Sequence, residues 1–155
     1  MPSLFSNIRL YVLLVTVIVA LGIYGWVQVT IPPGPLFVIT VTKLYGLTAV
    51  AYLYVALLIG PLLYVWRGMP YRGPVHKSRR AIGVSSFFLA VLHSVFAFFG
   101  QLGGFRGLLF LDTRYFLAIT LSFLALIILS LLAATSFNKA VVALTPRRWK
   151  QPCAA

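Results

Sequence analysis

SRRAIGVSSFFLAVLHSVFAFFG, residues 78–100, is the stretch that decides the architecture. Two cations, Arg79 and Arg80, stand at its start, and no further Lys, Arg, Asp or Glu follows before Gly100. A helix needs roughly 20 apolar residues to cross about 30 Å of hydrocarbon, so the stretch has the length of a membrane span with its charge at one edge. Ser78 suits the N-cap, because its hydroxyl can accept from a free N–H of the first turn. The glycines at 100, 103 and 104 mark the other end.

Outward from this span, three others read the same way: 9–28, 42–66 and 112–137. Ile31-Pro32-Pro33-Gly34-Pro35 cannot continue a helix and separates the first two. Pro61 predicts a kink in the second. The loop from Arg67 to Ser78 joins the second to the third, and Asp112 suits the N-cap of the fourth, where an acid complements the helix dipole. The expected fold is therefore all-α integral membrane, a closely packed four-transmembrane-helix bundle in one domain over residues 1–155, with a basic tail over 138–155. The first apolar run, from Arg9 to about Tyr24, lacks a small-residue cleavage site and reads as a retained span.

Composition supports this reading. Of 155 residues, 61% are hydrophobic and 9% charged, against about a quarter charged in soluble domains. Thirteen Lys and Arg face a single acid, Asp112. Such a balance often marks nucleic-acid binding, but here the cations lie between apolar spans, where they bind anionic lipid headgroups and set orientation. With the N-terminus inside, Arg9, Arg67, Arg72, Lys77, Arg79, Arg80, Lys139, Arg147, Arg148 and Lys150 are cytoplasmic, and Lys43, Arg106 and Arg114 are not. Ten against three predicts N-in/C-in. Arg67, Arg72, Lys77, Arg79 and Arg80 are the candidate contacts to membrane lipids or to an acidic partner, and no nucleic acid is expected.

Most enzyme chemistries are excluded by residue type. One acid cannot form a carboxylate pair, no Ser-His-Asp set fits within the bundle, and no Gly-rich phosphate loop follows a strand. Cys153, the sole cysteine, can form neither an internal disulfide nor a cysteine metal site. Any activity needs a cofactor or a partner. His93 is the expected single ionisable residue well inside a span, a position that marks functional candidates. It shares a face with Gly83, Ser86, Ala90, Ala97 and Gly100, so it is expected to point into the bundle, toward space that small neighbours leave open. Two readings stand: an imidazole ligand to iron, or a histidine hydrogen-bonded to a neighbouring helix. His76, in the preceding loop, is expected to be solvated. Seventeen residues, about 25 Å of helix, separate it from His93, so the two cannot share one iron. Small residues also recur in the second helix (Gly46, Ala49, Ala56, Gly60) and in the fourth (Ala118, Ser122, Ala125, Ser136), where they predict close helix contacts.

Leu44-Tyr45-Gly46-Leu47, Arg79-Arg80-Ala81-Ile82-Gly83, the run Phe87-Phe88-Leu89-Ala90-Val91-Leu92-His93, then Ala134-Thr135-Ser136-Phe137-Asn138 and Arg147-Arg148-Trp149-Lys150 occur in this order. Over roughly two thirds of the chain the order resembles the ferric-reductase-like transmembrane domain family, and within it the branch of haem-binding membrane subunits of the periplasmic methionine sulfoxide reductase system. The resemblance implies a redox subunit of a bacterial inner membrane, haem b bound at His93, and electron transport. In that family a further helix carries the opposing histidine. Here the expectation is a second ligand from another membrane subunit or from a homo-oligomer. Two haems would need four ligands, and the chain has two histidines. The alternative is a non-catalytic accessory subunit of a larger membrane complex that keeps the fold without the cofactor.

Overall fold

The computed structural model describes residues 8–66, 68 and 72–135, and all regular structure among them is helical. The long elements are α1 (Ile8–Thr30), α2 (Pro35–Val65), α3 (Arg72–Val95) and α5 (Thr113–Thr135); a short α4 (Phe105–Leu108) precedes the last. Among the described residues, four segments are long and apolar enough to cross a membrane: Ile8–Thr30, Pro35–Val65, Gly73–Gln101 and Thr113–Ala134.

The breaks follow local chemistry. Residues 31–34 break the helix between α1 and α2, and α2 then starts on Pro35 itself, where proline's missing N–H costs nothing and its φ suits a helix. This start is seven residues before the expected one at 42. Ser78 is not a cap. The helix begins at Arg72, and the Ser78 hydroxyl instead donates to the Val75 carbonyl (2.8 Å). Asp112 does stand at the head of α5: its carbonyl accepts from Tyr115 and Phe116, and its Oδ1 accepts from the Thr113 N–H (2.8 Å). At its far end α3 widens into a π-helical turn, Phe96–Gln101. Gly103 and Gly104, both at positive φ, then end it, with the Gly104 N–H donating back to Phe98 (2.9 Å). The tail from 136, including Ser136, Lys139, Arg147, Arg148, Lys150 and Cys153, lies outside the described residues, as does Arg67.

The core belongs to α1, α2 and α3. Ala20 and Val27 from α1, Val41, Tyr45 and Ala49 from α2, and Leu89 from α3 form one buried cluster. Tyr24, Phe37, Tyr45 and Phe96 extend it as ring-to-ring contacts at 5.7–6.3 Å between centroids. Helix α5 departs from the expected close packing. Ala133 is its one buried side chain among the described residues, and Ala118, Ser122 and Ala125 are exposed. Ala118, Ser122 and Ala125 are thus left uncovered, although the buried Ala133, eleven residues or about three turns from Ser122, lies near the same side of the helix.

Candidate functional site

Three polar side chains of α3 reach across to three backbone carbonyls of α2. Arg79 Nε donates to the Ala56 carbonyl (3.1 Å), the Ser86 hydroxyl to Ala49 (2.8 Å), and His93 Nδ1 meets Thr42 (2.8 Å). Each step of seven residues forward along α3 is matched by a step of seven back along α2. Seven residues are about two helical turns, so the three rungs lie on one side of each helix. The two helices are antiparallel, and the ladder sets their register. Bonds of this kind are among the forces that hold helices together in lipid, where the hydrophobic effect does not act between them.

The small residues of α2 are what make the rungs short. Ala49 and Ala56 are buried, and Gly46 lies directly under the His93 ring. A Cβ on Gly46 would stand 2.7 Å from Nδ1 and 2.9 Å from Cε1, closer than side chains approach. Glycine is required there by contact rather than by backbone angle. His93 therefore does point at α2, but the room left by Gly46 is filled by the imidazole itself and does not stand open. A second polar contact, Thr16 to Ser85 (2.8 Å between hydroxyl oxygens), ties α1 to α3. Every buried side-chain nitrogen and oxygen among the described residues has a partner.

A carbonyl only accepts, so the bond to Thr42 requires the proton on His93 Nδ1, and in a neutral ring the lone pair is then on Nε2. Nε2 has no hydrogen-bond partner among the described residues, and His93 is half-buried. Ligating histidines commonly donate their other N–H to a backbone carbonyl, which fixes tautomer and ring orientation. The free nitrogen of His93 is thus a donor atom of a kind that binds metal ions. No group of three or more His, Cys, Asp or Glu side chains comes together among the described residues. His76 lies near the start of α3, exposed and at the opposite end of that helix from His93, in agreement with the expected separation.

The remaining candidates sit at the His76 end. Arg72 and Lys77 belong to α3 rather than to a loop, since α3 begins six residues early, and they share that helix with Arg79 and Arg80. Two hollows lie away from His93. One of about 330 Å³ is lined by Tyr11, Val12, Val15, Tyr52, Val55 and Ile82, and one of about 560 Å³ by Gly60, Leu63, Tyr64, Gly73 and His76. The early start of α2 also corrects the count of ionisable residues within spans. Lys43 lies eight residues into α2, about 12 Å along it, and is exposed. Sequence reading placed it at the edge because it took Thr42 as the first residue. The ladder was missed altogether, although the seven-residue spacing of Arg79, Ser86 and His93 was visible.

Compared with protein-family models, curated proteins and solved structures, the chain matches none. The fold and the ladder define its class: an all-α protein of four long apolar helices, with α2 and α3 locked by side-chain-to-backbone bonds.

Proposed function

We propose that this chain is a multi-pass subunit of a bacterial inner membrane, N-in/C-in, with a redox role, and that it holds haem b through His93. The observation that carries the reading is the imidazole fixed on the Thr42 carbonyl through Nδ1, with Nε2 left without a partner. Bound there, haem would supply one-electron transfer. The chain's own part is to hold the ring: Thr42 sets the tautomer, Gly46 sets how closely α3 approaches α2, and Ser86 and Arg79 keep the register. A second ligand would come from another membrane subunit or from a second copy. The resemblance to ferric-reductase-like domains supports the same assignment.

The test is colour. Protein isolated from its native membrane should show an intense blue band and sharp visible bands on reduction. His93→Ala should abolish them and His76→Ala should spare them. A colourless native preparation, made with haem available during growth, refutes the redox reading. The ladder favours one second reading: an accessory membrane subunit without cofactor, in which His93 is the third rung of a packing device. In that case His93→Leu changes stability and nothing else.

A further inference from the structure

We infer that the hollow between the end of α2 and the start of α3 binds the phosphodiester headgroup of one anionic phospholipid, held by Arg79 and His76. The inference rests on the membrane reading above and is independent of haem. Gly60, Leu63 and Tyr64 from α2 and Gly73 and His76 from α3 line the hollow. Arg79 borders it: its Nη1 stands 3.6 Å from where a Cβ on Gly60 would lie.

Three observations point to an anion of this kind. First, Arg79 is fixed in place. Its Nε is committed to the Ala56 carbonyl, which leaves the Nη1/Nη2 edge and its four N–H donors uncommitted among the described residues. A planar guanidinium edge of this kind matches two oxygens of one phosphate. Second, no side-chain carboxylate is at hand to neutralise it. The chain's one acid, Asp112, precedes α5, beyond the far end of α3. Third, Tyr64, which lines the hollow, and Trp66, two residues on, are 70% and 60% exposed. Aromatic side chains gather at headgroup depth, so the phosphate of a lipid reaches this level while its chains lie along α2. The neighbouring Val65, 74% exposed, offers apolar contact to those chains. A soluble phosphate would gain nothing from that surface.

The full chain is reconstituted in nanodiscs of phosphatidylcholine containing a minor fraction of phosphatidylglycerol, and retained lipid is read by native mass spectrometry. The wild type should keep one phosphatidylglycerol in preference to phosphatidylcholine. Arg79→Gln should lower that preference about tenfold, the equivalent of one charge-assisted hydrogen bond, and His76→Ala should lower it severalfold. Gly60→Leu leaves every charge in place and fills the hollow; it should abolish the preference. Arg80→Gln, at the same basic end but not among the residues that line or border the hollow, should have a much smaller effect. Equal loss with Arg80→Gln, or full retention with Gly60→Leu, shows diffuse attraction by the basic end and overturns the site. Displacement of the lipid by millimolar inorganic phosphate overturns the assignment to a lipid. Failure of the wild type to incorporate into the discs overturns the membrane reading and this inference with it, whereas incorporation without lipid preference overturns this inference alone.

Discussion

His93 Nδ1 lies 2.8 Å from the carbonyl oxygen of Thr42, and the same ring edge rests on Gly46, one turn further along α2. The bond and the contact are two sides of one arrangement. The ring reaches the carbonyl because residue 46 has no side chain to hold it off.

Gly46→Ala should therefore displace the ring and break the Thr42 rung. The expected cost is about 1–3 kcal/mol, the range for forcing extra volume into a packed site. In a His93→Ala background the same change should cost almost nothing, since the clash has lost its partner. Unfolding of the four variants in a graded detergent mixture gives the coupling. Additive effects would show that His93 and Gly46 do not constrain each other.

Ser86→Ala removes the middle rung and should destabilise the chain by about 1 kcal/mol, typical of a hydrogen bond between helices in lipid. Ser122→Ala is the control. Its hydroxyl bonds only to Ala118 within its own helix and is exposed. Equal effects of the two substitutions would deny the ladder any special weight.

Helix α5 offers a contrast between two alanines. Ala133 is 8% exposed, and Ala133→Leu should cost about 1–3 kcal/mol by overpacking. Ala118 is exposed, and Ala118→Leu should stay within about 0.5 kcal/mol. A larger loss at 118 would reveal a partner seated on the small-residue stripe.

The N-in/C-in reading places Cys153 in the cytoplasm. An impermeant thiol reagent should leave it unlabelled in intact cells and label it after lysis. Labelling in sealed cells reverses the orientation.

If the second iron ligand comes from another chain, haem should stay bound only while that chain is present. Detergent harsh enough to strip subunits should bleach the visible bands, and mild detergent should keep them. Colour that survives in a purified single chain would place both ligands within it.

Much of the fold was legible because apolar length is a one-dimensional property. Residues 9–28 announced a helix that the structure extends by one or two residues at either end, and residues 78–100 one that starts six residues early and finishes in the π-helical turn to Gln101. Boundaries set by proline and by caps were less legible. Pro35 serves as the first residue of α2 where proline alone suggested a break, and Ser78 bonds within α3 where its type suggested a cap. The small residues of α2 marked a contact face correctly, whereas those at 118, 122 and 125 did not, since size says which residues permit close approach and not which helix arrives.

The sequence by itself determined that the chain forms four long apolar helices, and that His93 is the histidine within an apolar stretch. Hydrophobicity and charge act residue by residue, so they can be summed along the chain. Only the tertiary structure decided that Arg79, Ser86 and His93 face Ala56, Ala49 and Thr42, and that Nε2 rather than Nδ1 is left without a partner. The acceptors in that ladder are backbone carbonyls, which every residue carries alike, so no side-chain pattern on α2 could name them. Antiparallel register between two helices selected these three.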